Sequence, residues 1–495
     1  MAATGTHTDD HAVTLPEAKV DVSRIRLLSI AAAVLGFAVY VIGGIVGLGA
    51  DPEHGPRDFF LAYLCGFLVW FCVPFGSLGL SMIGFLASAS WGIIFRRVFQ
   101  ASIRTMPVML VLGLPIIASL YVSNGDQSPF WWSKGIWHGV TDADKAKLND
   151  EEKNQFLEDV EKYQNQGWDD KNGAGMTAIA EIAAYEHTKP AGVEESLHKI
   201  HDWLSPNFFA ARYFAYFAIL GVIALLIMKN ARPLEDHDDR SALTRLRTIS
   251  GPALPVFVIT LTLFVTDWVM SVEPTWASSM FPVIFGMNMF LTTLTFSTLI
   301  FYTLTRVPGD QGNEANRPDL TAIVKDKFRI DIGSLTLGFC MVWAYGSFCQ
   351  FMLVWAGNLP EEITYYLKRG GGEYFYTGDP ATSSQPTGWI YLSYVLMVCH
   401  WLIPFIVLLF REVKTSPWAM RFMAVFLLTV CACDVCWWIM PCVPHEKTWL
   451  HLPMAFGAIL GVGGLWGIFF TRELAKRPIL VTNSEGKFLA TWGHH

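Results

Sequence analysis

Apolar positions in this chain gather into long unbroken runs. They do not recur at core spacing or alternate. Ten runs are long enough to cross a bilayer, near 27–49, 58–90, 101–122, 208–228, 252–272, 280–304, 331–356, 388–410, 418–441 and 452–471. Each meets or exceeds the ~20 residues that span a hydrocarbon core of ~30 Å. A β-barrel would instead show segments of about ten alternating residues. Backbone in hydrocarbon must satisfy its own hydrogen bonds, so the runs are read as helices. The pattern predicts an all-α integral membrane protein of about ten transmembrane helices. The second run is overlong: a continuous helix from Asp58 to Phe95 would reach roughly 57 Å at about 1.5 Å per residue. A bend is expected near Pro74 and Gly76, with helix emerging before Arg96 and Arg97. The first run is too long for a signal peptide and follows a polar leader, so it reads as a retained helix.

This divides the chain into a tail at 1–26, spans 1–3 at 27–122, a polar loop at 123–207, spans 4–10 at 208–471 and a tail at 472–495. Lys and Arg orient it. One set of flanks carries 23 of them, whereas the four short loops on the other side carry only Arg57, Lys368, Arg369 and Lys447. By the positive-inside bias, both termini are cytoplasmic and the 123–207 loop is external.

Composition agrees. Of 495 residues, 52% are hydrophobic and 16% charged, against about 25% charged in an ordinary soluble domain. A typical soluble enzyme, a disordered chain and a nucleic-acid binder with a basic face are excluded. The net charge of −7 is localised: the 123–207 loop holds 16 Asp/Glu and 8 Lys, so the remainder of the chain is near neutral. Residues 142–165 and 176–204 of the loop read as polar-faced helices. Trp131, Trp132, Trp137, Trp168 and Trp203 suit a surface packed on something, either the protein's own helices or extrinsic subunits.

Against this apolar background a few polar groups stand out, because such groups are costly in lipid and mark bundle interiors or water paths. Asp267 lies near the outer end of span 5, Asn288 about two turns into span 6 and Gln350 in the outer third of span 7. His400 is near the middle of span 8, and Asp434 is in the outer third of span 9. Most fall in the outer half, as a proton-handling or ligand site open to the outside would require. Buried Asn and Gln also serve simply as helix–helix hydrogen-bond partners. Asp267 and Asp434 each stand seven residues before a proline, Pro274 and Pro441. With spans 2–5 and 6–9 sharing parity, this suggests two four-helix bundles related as a parallel repeat, plus two peripheral helices.

The nine cysteines all lie in or at the ends of spans, with Cys431, Cys433, Cys436 and Cys442 clustered in span 9. Residues 433 and 436 share a helix face and could act in redox or metal chemistry; as buried small hydrophobes they need neither. No Cys-x-x-Cys-His occurs, so covalent c-type haem is not expected, and no metal site is read. His400 is the sole deep histidine, and His445 and His451 sit near the outer surface.

Three stretches together resemble a known family. Residues 267–281, DWVMSVEPTWASSMF, are similar to its D-W-x-M-S-x-E-P-x-W-x-S-x-x-F signature. Residues 343–362 match W-A-Y…Q-F-x-x-x-W-x-x-N-x-P-E-E, and Phe208–Arg212 fits the start of span 4. The family comprises the polysulfide-reductase-like (NrfD/PsrC-type) integral membrane subunits of alternative complex III, a bacterial quinol:cytochrome c/electron-acceptor oxidoreductase. Ten spans and the long outer loop look like its F-type over the paralogous C-type subunit. The resemblance implies a bacterial inner-membrane location and participation in quinol oxidation. It also implies two four-helix bundles with a proton pathway. Among the candidates, Asp267, Glu273, Glu361 and Glu362 are the acids carried in the matching motifs, and quinone or quinol is the ligand such a pocket would take. Iron–sulfur clusters and c-type haem are expected in periplasmic partner subunits, with the C-type subunit, lipid and a terminal oxidase as further neighbours, and no cofactor bound by this chain alone. Thr275 stands where many relatives carry His, which points toward proton conduit and scaffold for this chain. A secondary transporter and a purely structural membrane anchor are the alternative readings.

Overall fold

The computed structural model describes residues 21–50, 55–122, 127–130, 132–133, 203–237, 240–273, 276–310, 317–321, 324–357, 365–366, 369–370, 388–442 and 452–479. The helices are α1 (Ser23–Ala50), α2 (Gly55–Ala87), α3 (Ser90–Ile94), α4 (Arg96–Ile103), α5 (Met106–Ser119), α6 (Pro206–His237) and α7 (Arg240–Trp268). They continue with α8 (Phe281–Leu304), α9 (Asp326–Gly357), α10 (Gly388–Leu396), α11 (Ile403–Leu409), α12 (Arg411–Thr415), α13 (Pro417–Ile439) and α14 (Leu452–Leu474). A π-helical turn, Met397–Leu402, joins α10 to α11 into one span. Among the described residues nine helices are long and apolar enough to cross a membrane, or ten if the bent pair α4–α5 is one span. The protein is an all-α integral membrane protein of about ten membrane-spanning helices, as expected; the helices expected at 142–165 and 176–204 lie, except for residues 203–204, outside the described residues.

Local chemistry sets the breaks. The expected bend at Pro74 and Gly76 does not interrupt α2, which stays helical to Ala87. Chain direction changes at Ser88 instead, whose φ is +51°, and Arg247 fastens this corner by donating to the Ser88 hydroxyl and the Phe85 carbonyl. The third span begins at Arg96, earlier than expected, and bends by 44° between α4 and α5. Pro107, at the start of α5, lacks the N–H that would continue the α4 ladder. Helices α6, α7 and α9 also run past their apolar stretches, because the polar residues at their ends tolerate helix in water.

Two long helices form the centre. Helix α2 packs on α7, α5, α13 and α14, and α8 packs on α13, α9 and α2. The pairing of α2 with α7 is thus mirrored by that of α8 with α13, as two equivalent four-helix bundles would give. At the central crossing a Cβ on Gly76 would overlap the Thr293 hydroxyl, which donates to the Cys72 carbonyl at 2.9 Å. Helix α1 lies antiparallel against α14 along a seam of small residues. A Cβ on Gly461 would collide with the ring and backbone of Phe37, one on Gly464 with Ala33, and one on Gly457 would sit 2.7 Å from the Tyr40 backbone nitrogen. Close backbone approach of this kind is how apolar helices associate in lipid, where no hydrophobic drive separates helix from acyl chain.

Candidate functional site

Helices alternate direction through the bundle, so the C-terminal thirds of α7, α9 and α13 and the N-terminal part of α8 meet at one end. Asp267, Asn288, Gln350 and Asp434 therefore gather there, and His400, on the π turn, faces Asp434 from mid-span. Glu273 is buried just beyond the short turn Met270–Val272. Glu361 and Glu362, like Thr275, lie outside the described residues.

The two aspartates occupy different environments. Asp267 is fully buried and saturated with donors. Arg212 of α6 grips it twice, Nε to Oδ2 at 2.7 Å and Nη2 to Oδ1 at 3.0 Å. Tyr216 donates to Oδ2 at 2.6 Å and the Trp203 indole to Oδ1 at 2.7 Å. Arg212 is itself held by the Trp203 carbonyl at 2.8 Å, with its guanidinium 4.2 Å from the Trp203 ring and 4.3 Å from that of Phe208. A bidentate guanidinium and two further donors give both oxygens of the carboxyl group hydrogen-bond partners. Trp203, together with the buried Trp132, which packs on Phe209, ties this part of the loop to the protein's own helices.

Asp434 is also buried, but its partners are an indole and an imidazole. The Trp343 indole of α9 donates to Oδ2 at 2.8 Å. The His400 ring stacks on that indole at 3.7 Å, which puts its Nδ1 3.6 Å from the same Oδ2, beyond hydrogen-bond range. His400 Nδ1 is buried without a hydrogen-bond partner, and Nε2 lies 3.7 Å from the Cys431 sulfur. Asn288 donates to the Cys431 carbonyl at 3.3 Å, while its own Oδ1 is buried and unsatisfied. The π turn follows from Pro404: it lacks the N–H that would pair with the carbonyl of His400 four residues earlier, so the helix widens there. The third span of each bundle faces the acid: α6 offers a permanent cation to Asp267, and the α10–α11 span offers an imidazole to Asp434.

Beside Asp434 lies a groove of about 640 Å³, walled by Trp343, Phe348, Gln350, Trp401 and Trp437. That size is within the ordinary range for small-molecule sites, about 300–1,000 Å³. Its rim residues Tyr345, Phe348, Tyr394 and Met397 are half or more exposed, so it opens sideways between α9 and α10. The Gln350 Oε1 accepts from Ser278 at 2.7 Å, leaving Nε2 buried and unpartnered; the Trp401 indole N–H is unpartnered as well. Below the groove Arg369, counted from sequence as a loop charge, is buried and closes the C-terminal end of α13. It donates to the carbonyls of Trp437 at 3.1 Å, Trp438 at 2.7 Å and Tyr365 at 2.6 Å. The Trp437 carbonyl is the one Pro441 cannot serve.

The structure buries Asp267, Glu273, Asn288, Gln350, His400 and Asp434, and adds Arg212, Trp343 and Arg369, to which the sequence alone assigns no place in a site. Arg212 and Trp343 were visible as members of the quoted stretches, though with no partner assigned. Among the described residues no group of three or more His, Cys, Asp or Glu is placed to hold a metal ion. Neither protein-family models nor curated proteins give a match to this chain.

Proposed function

We propose that this chain is the integral membrane subunit of a quinol:electron-acceptor oxidoreductase of the alternative complex III kind, resident in the bacterial inner membrane. In this reading it scaffolds the complex and handles protons at Asp434 and His400, beside a groove for a lipid-soluble quinone. The observation that carries the reading is the contrast between the two acids: Asp267 is locked by Arg212, whereas Asp434 accepts from an indole and faces an imidazole Nδ1 that has no hydrogen-bond partner. A carboxyl and an imidazole 3.6 Å apart are a pair between which one proton can move with small side-chain shifts, in reach of a groove open to the lipid. The motifs at 267–281 and 343–362 support the family assignment, and partner subunits would carry the iron–sulfur clusters and c-type haem.

Purification from the native membrane in mild detergent tests the assignment. Companions with c-haem absorbance and iron–sulfur signals are expected. A chain that emerges alone, from membranes shown to hold such cytochromes, would overturn it.

A further inference from the structure

Groups around the groove also define what its occupant must offer. Ser278 precedes α8, and its hydroxyl oxygen accepts from the backbone N–H groups of Met280 and Phe281, both at 3.2 Å. Those two donors take up its lone pairs. Its single proton must then go outward, and it goes to Gln350 Oε1 at 2.7 Å. Gln350 is therefore not free to flip: its oxygen belongs to Ser278 and its NH₂ is presented without a partner. The residue is 3% exposed and lines the groove. A buried donor left unmade costs the full desolvation of that group, so one that also lines a groove calls for an acceptor. Trp401 supplies a second unpartnered donor in the same wall.

We infer that Gln350, set by Ser278 as a positioning residue, is the hydrogen-bond donor to a ring oxygen of a membrane-dissolved ligand bound in this groove. Trp401 donates to a second acceptor, and the aromatic walls hold the ring. The lateral opening admits the ligand from the bilayer. This rests on the quinone reading above for the ligand's identity, while the donor assignment rests on the groove alone.

The test uses the purified full chain in nanodiscs and three probes with the same decyl tail: a benzoquinone, a phenyl ketone and an oxygen-free benzene. Binding is read by tryptophan quenching. Wild type should bind the quinone and the ketone more tightly than the oxygen-free probe. Gln350→Met, which keeps volume and chain length, should weaken both oxygen-bearing probes roughly five- to tenfold, as loss of one hydrogen bond does, and leave the oxygen-free probe unchanged. Trp401→Phe should weaken the quinone more than the ketone, and Ser278→Ala should cause a smaller loss for both. Equal affinity of wild type and a folded Gln350→Met protein overturns the donor assignment, as does failure of wild type to bind either oxygen-bearing probe. Gln350-dependent binding of the ketone with no binding of the quinone upholds the donor and overturns the quinone reading.

Discussion

Arg212 holds Asp267 through both carboxylate oxygens inside the apolar body of the protein, with Tyr216 and Trp203 completing the cage. Removing one partner of a buried pair leaves an uncompensated charge, a cost of about 3–5 kcal/mol. Arg212→Ala should therefore lower the thermal midpoint of the detergent-solubilised protein sharply. The double variant Arg212→Leu with Asp267→Leu should recover much of that loss, since two apolar groups replace a desolvated pair. Additive losses in the double variant would refute the account.

Asp434 should behave differently. Asp434→Asn keeps an acceptor for the Trp343 indole, so the fold should be retained, with a thermal midpoint close to wild type. Under the proposed quinol-oxidising function, proton release during quinol-dependent reduction of a cytochrome partner should fall at least about tenfold, below the hundredfold or more that a positioned acid or base typically contributes. His400→Gln should act the same way. Full proton yield in both variants would remove the pair from the mechanism.

The seam between α1 and α14 makes a third prediction. Gly461→Val and Gly464→Val force side chains into backbone, and overpacking of this kind costs about 1–3 kcal/mol. A glycine with open space around its Cβ position, Gly338 of α9, is the internal control: Gly338→Ala should be neutral or stabilising by up to about 1 kcal/mol. Thermal unfolding of the three variants side by side distinguishes packing from any general intolerance of substitution.

Arg369 serves three carbonyls with one planar fork. An ammonium group reproduces neither the fork nor the stacking on Tyr365, so Arg369→Lys should cost about 2 kcal/mol despite its conserved charge. It should also loosen Trp437 and Trp438, which wall the groove, and so raise their fluorescence anisotropy decay rate. Unchanged stability in Arg369→Lys would show that charge alone suffices.

Much of the fold was legible because lipid imposes a simple rule: a run of apolar residues long enough to span must become helix. That rule placed all ten runs within a few residues at most ends. It fails where helix continues into water, as in α7, which starts at Arg240 twelve residues before the apolar run, because hydropathy sees solvent contact and not backbone hydrogen bonding. The break at Ser88 is not legible because a serine in the left-handed region has no sequence signature, while Pro74, which has one, is absorbed inside α2. In the site, single polar residues stood out against an apolar background, but their pairings did not. Arg212 and Asp267 are 55 positions apart and Trp343 and Asp434 are 91 apart, and only the packing of α6 on α7 and of α9 near α13 brings them together. Arg369 was misjudged because a charge in a short loop ordinarily faces water, and nothing local announces that Pro441 has vacated a carbonyl for it.

The widened turn at Met397–Leu402 carries one residue more than a regular helix needs, and each residue turns the helix axis by about 100°. Because the turn follows from Pro404, Pro404→Ala would supply the missing N–H, let the span run on the ordinary four-residue ladder, and shift His400 against the Trp343 indole. The seating of the imidazole is thus tied to an N–H that is missing four residues further along the chain.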